Sequence, residues 1–359
     1  MKIGFVIGGI SSGGIARATT TLANGLLALG HEVFILPHYF DESKTHQLDN
    51  KIKIIPLNFK KVSLRKVFSI NKKKIRKIII DNNLDVVISC GALFFMLGAL
   101  ATRKTKAYSI AWEHSNFFSK HGHFGKGLNR RLGVLLSNAA VVLTESDKLE
   151  YKRHYRKKNV FVIHNAVAKE FRESNRNYNS NTGKIITVGA LNYFKNYEGL
   201  VEVGRKLFSL NKKFVWDIYG IGTLEEKIKG LISAYGLNNN IRLMGQNPQI
   251  HEVYNNYSLY VCTSRSEGLP MTLIEAKTLN LPIVSYDIKT GPSDIISEGI
   301  NGYLIKFEDS NKMANIINEL ITNPKKLEML SGNASIDINK FYLESIVEQW
   351  NKVFNKGVL

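Results

Sequence analysis

Short apolar runs of β type recur along this chain, each parted from the next by a stretch with helical spacing. They stand at residues 2–8, 32–36, 52–56, 85–89, 107–112, 139–144 and 160–163, and again at 184–189, 214–219, 241–244, 259–263 and 282–286. Strands that alternate with helices imply parallel βαβ units. Helices are expected at about 15–29, 196–210, 224–234 and 250–255, with another opening near Met271. Gly30 stands where a helix C-cap glycine belongs. The stretch 170–183, EFRESNRNYNSNTG, is polar and without hydrophobic periodicity, which makes it a linker candidate. The pattern therefore predicts an α/β chain: an N-terminal domain at 1–169, the linker, a second domain at 184–335, and a final helix at 336–359 packing back toward the first domain. A length of 359 residues suits about two domains. Two doubly wound halves would face a ligand across a cleft, at the carboxyl ends of their strands.

With 44% hydrophobic and 22% charged residues, disorder, collagen and coiled coil are excluded as the main architecture. Two cysteines, Cys90 and Cys262, supply neither a disulfide framework nor a structural zinc site, and a reducing compartment is expected. The opening MKIGFVIGGISSGG runs into glycines without a cleavage pattern, so it reads as a first buried strand rather than a signal peptide. The longest apolar run, 86–101, is broken by Ser89, Cys90 and Gly91 and falls short of the ~20 residues a bilayer span needs. No transmembrane helix is expected. The formal charge of +19 is unevenly spread: residues 1–180 hold 30 Lys+Arg against 12 Asp+Glu, and residues 181–359 hold 19 against 18. That asymmetry points the first half at a polyanion or an anionic membrane.

The densest chemistry lies in Ser264, Arg265, Ser266, Glu267, Gly268, Leu269 and Pro270, followed by Met271, Thr272, Leu273, Ile274, Glu275 and Ala276. A strand ends, a Gly/Pro loop follows and a helix opens, so free backbone N–H groups could hold a diphosphate. Carboxylates on either side could accept hydrogen bonds from sugar hydroxyls. Spacing alone leaves open a plainer reading, in which Glu275 complements the helix dipole and Glu267 is solvated.

The segment resembles the glutamate–seven residues–glutamate signature of the retaining glycosyltransferases of family 4, which have the GT-B fold of two Rossmann-like domains. Further motifs follow in order. Gly13, Gly14 and Arg17 match the family's opening glycine loop, and Val188-Gly189 through Lys195-Asn196 its "VGxL…KN" segment. Tyr219-Gly220-Ile221-Gly222 matches its "G-x-G" turn, while Thr290-Gly291-Pro292-Ser293-Asp294 and Asn301-Gly302-Tyr303-Leu304 match its "GPSE…NGxL" pattern. The resemblance covers nearly the whole chain. It implies that Glu275 holds the ribose of a nucleotide sugar, that Leu273 and Ile274 give backbone N–H groups to the diphosphate, and that Glu267 contacts the transferred sugar. Lys195 would neutralise the departing diphosphate. The family commonly has an arginine where this chain has Ala190, and Arg265, Arg17 and Lys289 are unranked candidates to replace it.

The glycine run GGISSGG departs from the dinucleotide fingerprint, and the second strand ends in Leu36-Pro37-His38 without an acidic residue, so a NAD enzyme is not expected. Trp112-Glu113-His114-Ser115 ends a strand, where open α/β sheets place ligands. A surface histidine paired with Glu113 is the plain alternative. The family has a histidine near this point facing the donor sugar, which implies that role for His114. No cluster has zinc-ligand spacing and no Asp-x-Asp pair is present, so no cofactor and no metal are expected beyond a nucleotide-sugar co-substrate. Residues 60–77, KKVSLRKVFSINKKKIRK, set Leu64, Val67, Phe68 and Ile75 among cations, and Ile78 and Ile79 follow; residues 152–158, KRHYRKK, form a second basic cluster. An apolar stripe in a basic surround suits an anionic membrane better than nucleic acid, for which no module is visible.

The expectation is a cytoplasmic enzyme, peripheral on the inner face of the cell membrane. It would be a retaining transferase of hexosyl or N-acetylhexosaminyl type, moving a sugar from a UDP-linked donor to a lipid-linked saccharide in bacterial polysaccharide assembly. The rivals are a soluble enzyme acting on a free sugar, a silent sugar- or nucleotide-binding protein, and a nucleic-acid binder.

Overall fold

Among the described residues the twelve apolar runs, with one further segment at Gly302, form thirteen strands in two all-parallel sheets. A computed structural model describes residues 1–11, 13–40, 48–119, 124–174 and 178–358. They form two units: residues 1–166 with 340–359, and residues 167–339.

In the first unit the strands are β1 (Lys2–Ile7), β2 (Glu32–Pro37), β3 (Lys53–Ile54), β4 (Val86–Cys90), β5 (Tyr108–Trp112), β6 (Ala139–Val142) and β7 (Val160–Val162), in the order β3-β2-β1-β4-β5-β6-β7. Its helices are α1 (Gly14–Ala28), α2 (Leu64–Asn82), α3 (Phe95–Thr102), α4 (Phe124–Leu136) and α5 (Glu145–Tyr155). The strand order reverses between β1 and β4. The loops leaving neighbouring strands diverge there, so a crevice opens at their carboxyl ends.

In the second unit β8 (Lys184–Val188), β9 (Val215–Tyr219), β10 (Ile241–Gly245), β11 (Leu259–Cys262), β12 (Ile283–Asp287) and β13 (Gly302–Lys306) lie in the order β10-β9-β8-β11-β12-β13. The reversal is between β8 and β11. The helices are α6 (Lys169–Glu173), α7 (Tyr197–Leu210), α8 (Glu225–Ala234), α9 (Ile250–Val253), α10 (Met271–Thr278), α11 (Pro292–Ile295), α12 (Ser310–Ile321) and α13 (Pro324–Gly332). The last helix, α14 (Leu343–Val358), belongs to the first unit. It lies on α1, where a Cβ at Gly25 would stand 2.7 Å from Val347 and 2.9 Å from Leu343. Trp350 is fully buried and meets Trp112 edge-on, with ring centroids 5.1 Å apart.

Four details differ from the sequence expectation. The stretch 170–183 carries most of α6 and a 3₁₀ turn at Ser180–Thr182, with Phe171 buried, and residues 175–177 lie outside the described residues. The helix expected at 250–255 divides into α9 and a 3₁₀ turn, Tyr254–Asn256. The run at Gly302 forms the edge strand β13, in register with β12 from Ile283↔Gly302 to Asp287↔Lys306. The apolar stripe of α2 is occupied: Ile75 and Ile79 are core residues beside Phe34 and Leu97, with Leu64, Phe68 and Ile78 packed against them. Several cations of this stretch are also spoken for. Lys74 Nζ donates to Leu57 O (2.7 Å), Lys77 pairs with Asp81 (2.7 Å), and Arg76 donates to Leu100 O, Ala101 O and Arg103 O. The basic cluster at 152–158 begins in the last turn of α5, where positive charge complements the helix dipole.

Candidate active site

In the second unit, the reversal between β8 and β11 brings two loops together. After β8, the Asn192 side chain accepts from Phe194 N (3.0 Å) and Lys195 N (3.2 Å), closing a 3₁₀ turn. Asn196 follows at φ 55° and caps α7. After β11, Thr263 Oγ1 donates to Lys195 O (3.3 Å) and Asn196 O (3.2 Å), and Arg265 N donates to Phe194 O (2.8 Å). These bonds hold Lys195 against the second loop.

There Lys195 Nζ meets Glu267 Oε1 at 2.7 Å, with side-chain exposures of 23% and 12%. Ser264 Oγ donates to the same carboxylate oxygen (2.6 Å), and Thr290 Oγ1 donates to Glu267 O (2.6 Å). Burial works to lower the Lys195 pKa, but Glu267, the Cys262 thiol and Glu275 outweigh it, and the ammonium ends above its ordinary value. It stays charged at neutral pH. Of the three candidate cations, Arg265 is joined to the Lys195 turn. Its guanidinium reaches Asn196 Oδ1, lies 3.5 Å from Glu198 and sits over the Tyr193 ring at 4.9 Å.

The helix after this loop, α10, opens at Met271 with Pro270 at its N-cap. Leu273 and Ile274 are fully buried and Glu275 is 5% exposed. Leu273 N already donates to Pro270 O (3.0 Å), so its N–H is engaged within the first turn.

In the first unit, a cavity of about 400 Å³ lies at the reversal between β1 and β4, lined by Gly8, Gly9, Gly91, Phe94 and His114 among others. Gly13, at φ 92°, caps α1 and Gly14 begins it; the cavity lining takes in Ile15 and Ala16, the next two residues of the helix. Glu113 does not pair with the His114 imidazole. Its Oε1 accepts from His114 N (3.0 Å), Ser115 N (3.1 Å) and Ser115 Oγ (2.7 Å), and its Oε2 meets Arg130 Nε (2.9 Å) and Tyr151 OH (2.9 Å). The His114 ring lies against Trp112, centroids 4.2 Å apart, and neither buried ring nitrogen has a partner among the described residues. Burial pulls the His114 pKa down to about 4 against the opposing pull of Glu113. The imidazole is therefore neutral at pH 7 and can both donate and accept a hydrogen bond.

Among the described residues, no group of three His, Cys, Asp or Glu side chains could hold a metal ion, and no helix is long and apolar enough to cross a membrane. The cavity glycines Gly8, Gly9 and Gly91 were not singled out by sequence. Their importance follows from which strands are neighbours, and only the GG at the end of the first apolar run hinted at it.

Two parallel Rossmann-like sheets, each with its crevice at a strand-order reversal, define a GT-B fold. A mutant of S. aureus TarM in complex with fondaparinux, alpha-GlcNAc-glycerol and UDP superposes with a TM-score of 0.80 at 18% identity, over 99% of this chain and 100% of that one. The family model "Glycosyltransferase Family 4" matches residues 12–171 and "Glycosyl transferases group 1" matches residues 167–336. The chain thus belongs to the family 4, or group 1, glycosyltransferases. It is 27% identical over 359 residues to an uncharacterized glycosyltransferase of Haemophilus influenzae, covering all of this chain and 99% of that one. It is also 27% identical over 363 residues to the GalNAc-alpha-(1->4)-GalNAc-alpha-(1->3)-diNAcBac-PP-undecaprenol alpha-1,4-N-acetyl-D-galactosaminyltransferase of Campylobacter jejuni, over 98% of each.

Proposed function

We propose that this protein is a retaining glycosyltransferase that moves a hexosyl or N-acetylhexosaminyl group from a UDP-sugar to a lipid-linked saccharide in bacterial polysaccharide assembly. The observation that carries the reading is the Lys195–Glu267 pair at the β8/β11 reversal, with buried Glu275 on the helix that follows. Glu275 accepts hydrogen bonds from ribose hydroxyls. Lys195, held charged, neutralises the diphosphate as the glycosidic bond breaks, and Arg265 adds the positive charge that Ala190 does not supply. Glu267 orients Lys195 and accepts from hydroxyls of the sugar, and Ile274 N–H donates to the diphosphate. Leu273 N–H joins it only if it leaves Pro270 O. His114 hydrogen-bonds a saccharide hydroxyl with its neutral imidazole. The acceptor hydroxyl attacks from the face the diphosphate leaves, so no side-chain nucleophile and no metal take part. UDP in the TarM complex supports the base, and the undecaprenol diphosphate in the name of the Campylobacter relative supports the acceptor class. A lipid-bound acceptor calls for a place at the inner face of the cell membrane.

The test is hydrolysis and transfer from a panel of UDP- and GDP-sugars, read by mass spectrometry in the presence of EDTA. Activity with a UDP-sugar that survives EDTA is expected. Glu275→Ala should weaken UDP binding roughly ten- to hundredfold, the worth of hydrogen bonds to a charged group. Unchanged UDP affinity by calorimetry, or activity that EDTA abolishes and Mg²⁺ restores, would overturn the corresponding assignment.

A further inference from the structure

The helix α4 turns two unlike faces outward and inward. Its inner face is fixed at Gly133, where a Cβ would stand 2.3 Å from Phe95 Cβ and 2.4 Å from Met96 N, so the helix backbone lies directly on α3. Arg130 and Val134 turn inward with it, exposed by 4% and 0%. At 3.6 residues per turn the opposite face falls to Leu128, Leu132, Leu135 and Leu136. These are 53%, 37%, 45% and 46% exposed. One exposed leucine needs no explanation, but four at i, i+4, i+7 and i+8 make a continuous apolar strip.

The surroundings of the strip are basic. Residues 86–144 contain a single carboxylate, Glu113, and it is buried against Arg130. Arg131 lies exposed within the strip. Arg103, Lys104 and Lys106 share a surface hollow with Leu135 and Leu136. The apolar stripe of α2, by contrast, is filled by the core.

We propose that the outer face of α4 docks on an anionic lipid bilayer, with the four leucines entering the headgroup–acyl boundary and Arg131, Arg103, Lys104 and Lys106 meeting lipid phosphates. An apolar strip flanked by exposed cations matches that surface on both counts. A second copy of the chain fits poorly, because a two-fold contact would press these cations against their own equivalents. The inference rests on the proposed lipid-linked acceptor and names the surface that brings the enzyme to it.

The test uses the full chain and sedimentation with vesicles of phosphatidylglycerol in phosphatidylcholine, against phosphatidylcholine alone. Wild type should bind the anionic vesicles, less as salt rises. The double variant Leu132→Glu/Leu135→Glu should lose at least about tenfold in partitioning, since apolar burial is replaced by buried charge. Lys104→Glu/Lys106→Glu should flatten the salt dependence. Far-UV circular dichroism and UDP affinity should stay at wild-type values, showing that both variants fold. Wild-type partitioning by the leucine variant would overturn the face and leave membrane binding standing. No vesicle binding by wild type would overturn the face too, and transfer to a lipid-linked acceptor in detergent would then decide separately whether the enzymatic reading survives. A wild-type dimer by light scattering that the leucine variant dissolves would assign the strip to self-association and overturn the proposal.

Discussion

Lys195 carries the sharpest residue-level expectation. Charge grows on the diphosphate during bond breaking, so Lys195→Ala should lower kcat more than it raises KM. The loss should be about ten- to hundredfold, matching roughly 1.5–3 kcal/mol for a charged hydrogen bond. The variant should also lose stability, because Glu267, 12% exposed, loses its ion pair with Lys195. A raised KM with unchanged kcat would count against the role. His114 gives a pH expectation. Its pKa falls from 6.5 to about 4 on folding, so the unfolded chain takes up a proton first as pH drops. Its contribution to stability is then intact above about pH 6.5 and is lost progressively toward pH 4. Asp147 slopes the other way: burial raises its pKa to about 6, so it favours the folded state at low pH. Urea titrations above and within this window should show a smaller acid loss for His114→Gln than for wild type. An equal loss would mean that the imidazole is already charged in the folded chain. Sequence singled out Lys195, Glu267 and His114 as candidates by their motifs. It could not show that Lys195 and Glu267 form one pair, since they lie 72 residues apart and meet only through strand order. Nor could it show that Glu113 turns away from the imidazole to Arg130.

At the scale of elements, the central strands were legible because a strand buried on both faces of a parallel sheet is a plain apolar run. The edges were less so. β3, read from the run at 52–56, pairs at only two positions, Phe34↔Lys53 and Ile35↔Ile54, and β13, which begins on a glycine, had no run to announce it. The α2 stripe misled for a related reason. Periodicity shows that one face is apolar but not whether the core or a partner covers it. Arg76 shows how the basic side of α2 is used. Its guanidinium donates to three carbonyls at the end of α3: Leu100 O (2.9 Å), Ala101 O (3.2 Å) and Arg103 O (2.7 Å). Those groups have no partner within the helix. Arg76→Ala should cost about 1–3 kcal/mol by urea denaturation, and Arg76→Lys should recover less than half, because a lysine presents no planar fork. Wild-type stability in Arg76→Ala would mean that solvent caps α3 as well as arginine does.

Across the whole molecule, each unit has its own core. One cluster, from Ile185 to Leu330, lies wholly within residues 167–339. Another gathers Ile3, Phe5, Leu22 and Leu26 with Ile346, Val347, Trp350, Val353 and Phe354 of α14. The C-terminal helix thus completes the first core although the second unit precedes it in sequence. Trp350 is the largest of its contributions, fully buried against Trp112. Trp350→Ala should therefore cost about 3–5 kcal/mol, the usual price of emptying a core tryptophan site. The loss should fall on the first unit. Calorimetry of the variant should show a transition moved to lower temperature that UDP does not restore, while UDP affinity at the proposed nucleotide site of the second unit stays within about twofold of wild type. A UDP affinity that falls in step with stability would show the two cores to be one cooperative unit, and the α14 helix to bear on the nucleotide site as well as on the core it fills.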